Sequence, residues 1–194
     1  MKWIAVLALA APLAAQTITP RERSAAMERL RSSRKAFFDS IRDVSAAQWN
    51  FKPDPDRWSV GECAEHIVLT EDAYFRSISK LLSGEPSKDR KAELSDQNLL
   101  KLYTDRSQKR QAPEPIQPTR GWSRAEIMER FNQARDRVIN LAATTQVPLR
   151  SYVSPAAAGG RWMDGYQWFL RVAGHAERHT AQIEEVKAHP GYPR

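Results

Sequence analysis

The run His175-Ala176-Glu177-Arg178-His179-Thr180-Ala181-Gln182-Ile183 carries two histidines four residues apart, with neither proline nor glycine between them. On a helix, a rise of about 1.5 Å per residue separates them by roughly 6 Å along the axis and by a turn of only ~40°. Both imidazoles can then reach one metal ion. Two ligands leave such a site incomplete, and the chain offers two further histidines, His66 and His189. His189 stands beside Pro190 at the end of the chain, while His66 falls on the apolar stripe of an expected helix. Three imidazoles suit zinc, nickel, copper or ferrous iron, and three protein ligands leave a position open for water or substrate. The same spacing also arises as an ordinary helix face, and a single core histidine is commonly satisfied by a hydrogen bond. The residues alone leave metal binding and plain packing both open.

Four start signals define the elements that would position these side chains. Thr19-Pro20-Arg21-Glu22 is a capping box with proline in the first helical position, where its missing N–H costs nothing. Met27, Leu30, Phe37, Phe38, Ile41 and Val44 follow at helical spacing, up to the Pro53-Asp54-Pro55-Asp56 turn. Ser59-Val60-Gly61-Glu62 opens a second helix with Trp58 at the staple position. That helix carries Cys63, His66, Ile67, Thr70, Tyr74, Ile78 and Leu81 on one stripe, ending near Ser83-Gly84. A charged loop over 85–95 leads to a short helix from Asp96 to about Lys109, then a proline-rich connector from Ala112 to Pro118. Ser123-Arg124-Ala125-Glu126 opens a third long helix with Ile127, Phe131, Ala134, Val138 and Leu141. Residues 148–153 read as mildly extended, and Ser154 to Gly160 as a loop. Asp164 with Gln167 starts the last helix, bearing Trp168, Val172, His175, His179, Gln182 and Val186 before Pro190-Gly191. These elements predict an all-α four-helix bundle, whose core is where facing helices build sites.

The chain of 194 residues, 41% hydrophobic and 27% charged, suits a soluble globular fold. Its net charge of +7 is dispersed among acids rather than gathered in a basic patch, so no nucleic-acid partner is expected. Lys2, the apolar run from Trp3 to Leu13 and Ala14-Ala15 read as a signal peptide over 1–15, followed by one domain over 16–194. The expectation is a secreted or periplasmic protein without membrane insertion after the signal is removed. Cys63 is the only cysteine, so no internal disulfide forms.

Trp58-Ser59-Val60-Gly61-Glu62-Cys63-Ala64-Glu65-His66 resembles the tryptophan–serine–x–x–glutamate–x–x–x–histidine motif of the DinB-like superfamily. His175-x-x-Arg178-His179-x-x-Gln182-Ile183 resembles its second motif. The Ala112-Pro113-Glu114-Pro115 connector and the serine-capped third helix extend the resemblance over nearly all of the chain beyond the signal. It implies a bundle of up-up-down-down topology with a short extra helix between the second and third long helices. It also implies a divalent metal on a three-histidine triad, for which His66, His175 and His179 are the matching positions. Zinc or nickel come first, with iron or manganese next. Homodimers are common among such bundles.

Around the triad, Glu62 reads as a capping residue before a ligand-orienting carboxylate, and Cys63 as core before ligand. Trp58 and Trp168 read as core aromatics. Arg178 points ~100° away from the histidine face and is expected to pair with surface acids such as Glu177 or Glu185. Gln182, one turn beyond His179, is positioned to bond a ligand or the water of a metal. The leading expectation is an exported metal-dependent hydrolase acting on a small molecule, with no general base in the sequence beyond the metal's own activated water. The alternatives are a non-catalytic, stress-related binding bundle and the thiol-dependent S-transferases known among similar proteins.

Overall fold

A computed structural model describes residues 17–156 and 160–194; the expected signal peptide lies outside them. Four long helices form the body: α1 (Pro20–Ile41), α3 (Val60–Leu82), α5 (Arg124–Thr144) and α6 (Gly165–Lys187). Short helices α2 (Ala46–Asn50) and α4 (Asp96–Thr104) lie in the connections, with a two-stranded antiparallel hairpin, β1 (Val153–Pro155) and β2 (Trp162–Asp164), before α6. Thr19, Ser59 and Ser123 close reciprocal capping boxes with Glu22, Glu62 and Glu126, and Asp164 caps α6 through the Gln167 N–H. All four expected start signals are therefore used.

Apolar faces meet in two layers. Leu30, Ile78, Val138, Leu149, Met163 and Phe169 fill one end; Phe37, Ile41, Val60, Ile67, Ile127, Phe131, Ile183 and Val186 fill the other. α1 and α6 begin in the first layer and end in the second, whereas α3 and α5 run the opposite way. Polar contacts agree: Arg23 at the start of α1 reaches Ala142 at the end of α5, and Lys187 near the end of α6 reaches Ser40 near the end of α1. In chain order the long helices run up, down, down, up. The four-helix bundle stands, and its direction order is corrected from up-up-down-down. The connection between α3 and α5 is long enough to climb the whole bundle along α6, which lets α5 start at the same end as α3.

Other boundaries also moved. The first helix stops at Ile41, and Ser45 opens α2 with its own capping box to Gln48. Gly61 allows α2 to lie close against α3, since a Cβ there would stand 2.4 Å from Nε1 of Trp49. The helix expected to reach Lys109 ends at Thr104, and the proline-rich connector forms a single 3-10 turn over Glu114–Ile116. Where a plain loop was expected, Ser154 pairs with Met163 in the hairpin. Three-residue strands are too short to leave an alternating pattern.

Candidate metal centre

His66 projects from α3, and His175 and His179 project from the facing side of α6. One ligand nitrogen from each lies within 4.8 Å of the other two. His66 and His179 are buried and His175 is half-buried. The three residues foreseen from the sequence are thus brought together in one cluster able to hold a divalent metal.

Hydrogen bonds decide which nitrogens face inward. His66 Nδ1 lies 2.7 Å from the Ile116 carbonyl oxygen, which can only accept, so Nδ1 carries the proton and Nε2 the lone pair. His179 Nδ1 lies 2.8 Å from Gln182 Oε1. Arg106 Nη1, which can only donate, reaches the same Gln182 atom at 3.2 Å. That atom must therefore be the amide oxygen, His179 Nδ1 is the donor, and its Nε2 is also a lone pair. His66 Nε2 and His175 Nε2 are 3.2 Å apart. Two imidazole nitrogens on a tetrahedral zinc, each at about 2.0–2.1 Å, sit roughly 3.3 Å from one another, so the donor set fits such an ion.

The electrostatics agree with that fit. Burial depresses all three imidazoles, opposed at His66 by the bond to Ile116. His175 and His179 are held well below the usual imidazole range by burial first and then by the neighbouring ring charges. All three are neutral near pH 7, the form that binds metal. Trp58 closes one side, with its ring 4.7 Å from His66 and 6.1 Å from His179. Tyr74 closes another, edge-on to His175 at 5.4 Å.

The other residues singled out from sequence fall in different places. Glu62 caps α3 and pairs with Lys52. Cys63 is fully buried in the core, where burial pushes its thiol up, and is no ligand. Trp168 packs on Tyr74 and donates to Ser154 Oγ. His189 packs at a tilt against Phe51 and accepts from the Gly191 N–H in the terminal turn. Gln182 touches its neighbouring imidazole directly, holding His179 in one tautomer. Arg178 is a correction: it is only 5% exposed and donates to the Gln108 carbonyl, because the connector after α4 covers that side of α6.

Three contributors were not foreseen. The Ile116 carbonyl orients His66, yet a backbone oxygen leaves no mark on a sequence. Glu65 accepts the N–H groups of Arg120, Gly121 and Trp122, fixing the connector that supplies Ile116. Gly121 adopts φ +66° there, a region glycine enters without strain. Arg171 lies four residues before His175, and that same spacing could have drawn attention to it.

Comparison with known proteins places this arrangement. The model of the DinB superfamily matches residues 16–183. An uncharacterized protein of Bacillus subtilis, YuaE, is 23% identical over 151 residues, covering 77% of this chain and 90% of its own. A solved structure of YfiT from Bacillus subtilis shares the fold, with a TM-score of 0.58, 12% identity, and coverage of 92% and 93% of the two chains. That protein is described as a probable metal-dependent hydrolase with an unusual four-helix bundle topology.

Proposed function

The chain belongs to the DinB superfamily, and from that premise we propose that it is an exported metal-dependent hydrolase of a small molecule. His66, His175 and His179 are its ligands, and zinc or nickel is its first-choice ion. The observation that carries this is the pair of proton-bearing Nδ1 atoms, on His66 and His179, anchored by Ile116 and Gln182. His66 thereby turns an unprotonated Nε2 toward Nε2 of His175, and His179 keeps its own Nε2 unprotonated. An ion held there supplies Lewis acidity and lowers the pKa of bound water. The protein's part is to hold three neutral imidazoles in fixed tautomers and to keep bulk water away with the Trp58 and Tyr74 rings. The likeness to YfiT supports the choice of reaction class.

Export is inferred from Lys2, the apolar run from Trp3 to Leu13 and Ala14-Ala15. Among the described residues no helix is long and apolar enough to cross a membrane. An exported location also disfavours the thiol-transferase alternative, since low-molecular-weight thiols are chiefly cytosolic.

Metal analysis of the purified protein, repeated on His66→Ala and His175→Ala, tests the centre. The wild type should hold about one ion per chain and gain thermal stability from it, while each variant loses both. No stoichiometric metal after exposure to zinc and nickel would overturn the proposal. Chelator-sensitive turnover of ester, amide or lactone substrates tests the chemistry. Full occupancy without turnover above the free-ion rate would leave a binding bundle instead.

A further inference from the structure

We propose that Arg171 forms an oxyanion subsite beside the three-histidine centre, so that the substrate carries a carboxylate or phosphate about one helical turn from the bond acted upon. This rests on the metal reading above and names the substrate class of that same site. Arg171 precedes His175 by four residues on α6, roughly 6 Å along the axis on the same face. Its guanidinium lies 4.3 Å from the Tyr74 ring centroid and 4.8 Å from those of Tyr103 and Trp168. Tyr74 is also the ring set edge-on to His175, so one wall is shared by the arginine and the imidazole.

Arg171 has no carboxylate partner. Among the described residues none lies within ion-pairing distance of it, and the remaining residues, 1–16 and 157–159, include no Asp or Glu. Acids on its own and the facing helix are already engaged: Glu177 by Arg29, Glu185 by Arg106, and Glu71 by Arg135. Nη1 donates to the Ala156 carbonyl at 2.8 Å, while Nε is buried with no partner among the described residues. The half-buried Arg171 guanidinium, flanked by three rings, has no anion beside it within the protein, and its planar fork matches carboxylate and phosphate. Three neutral imidazoles also leave the charge of a divalent ion uncompensated. The centre and Arg171 therefore attract the same anionic molecule from two ends.

The test uses the full chain loaded with cobalt(II), whose visible absorption reports ligand binding at the metal. Pentanoate, glutarate and 4-phosphonobutyrate are titrated into wild type, Arg171→Met and Arg171→Lys. In the wild type the two doubly anionic probes should bind about tenfold tighter than pentanoate, and the tighter of them identifies carboxylate or phosphate. Arg171→Met should bring the ratio close to one with cobalt stoichiometry unchanged, and Arg171→Lys should fall between. Equal affinity for all three probes in the wild type, or a preference that survives Arg171→Met, would overturn the subsite while leaving the metal centre standing. Should Arg171→Met fail to fold, an undiminished preference in Arg171→Lys overturns it equally. A wild type that takes up no stoichiometric cobalt overturns the metal reading, and the subsite with it.

Discussion

Two imidazoles of the centre, those of His66 and His179, each depend on one atom that is not a ligand. For His179 that atom is Gln182 Oε1, which takes the Nδ1 proton and is itself oriented by Arg106. Removing it frees the ring to rotate and to swap tautomers, so Nε2 presents a lone pair only part of the time. Gln182→Leu should therefore weaken zinc affinity about 10–100-fold while leaving the fold intact. Competition against a chromophoric chelator measures this, and an unchanged affinity would show that His179 is held by packing alone. The three histidines were legible as a set because His175 and His179 share a helix face and the motif resemblance added His66, although their spacing alone left plain packing open. Gln182 was legible as a neighbour able to bond a ligand or the water of a metal, and the rotamer selects the His179 imidazole. Arg178 shows the reverse failure. A wheel assigns it to solvent, yet solvent is displaced by a connector whose path the sequence does not give.

At the scale of elements, the joint that sets α3 relative to α5 and α1 is a buried ion pair. Arg135 of α5 binds Glu71 of α3 through both Nε and Nη2, and its Nη1 reaches the Leu30 carbonyl and Ser33 Oγ of α1. Arg135 is 0% exposed, and burial pushes the Glu71 carboxyl up against the lowering influence of the guanidinium. Breaking the pair from one side leaves a buried charge alone. Glu71→Ala should cost about 3–5 kcal/mol in urea unfolding, whereas Glu71→Leu combined with Arg135→Met should cost clearly less. Comparable losses would mean that the pair stabilises in its own right rather than being costly only when halved. Nothing in the sequence announced this joint, because an arginine on a helix reads as surface until three neighbours enclose it. The capped starts of the long helices were legible, since a box is written within four residues. The directions of those helices were not, because a long connection fixes no direction.

For the molecule as a whole, the decisive joint away from the histidine cluster is Arg150, set where α1, α4 and α6 begin. It bonds Glu22 of α1, Asp96 of α4 and the α6 cap Asp164. These contacts hold the floor of the bundle on which the histidine-bearing α6 stands. Burial would raise Glu22 and Asp96, but their bonds to Arg150 and to Thr19 or Gln167 outweigh it and hold both below their ordinary values of 4.5 and 3.8. Asp164 goes the other way, raised by a burial that its bonds to Gln167 and Arg150 do not overcome. The sign follows from linkage. Glu22 and Asp96 contribute stability that is fully present above their unfolded values and is lost as pH falls through the depressed ones. Asp164 takes up a proton earlier than it does in the unfolded chain, and so offsets part of that loss. Glu22 and Asp96 thus contribute a fall in stability on acidification below about pH 5, against which Asp164 acts. Arg150→Met removes the cause of the depression and should flatten that fall as well as lower the melting temperature at neutral pH. Melting curves from pH 6 to pH 3, recorded in chelator so that metal release plays no part, read both effects. Parallel pH profiles for wild type and variant would show that the arginine serves as a spacer between three helix starts rather than as their charge partner.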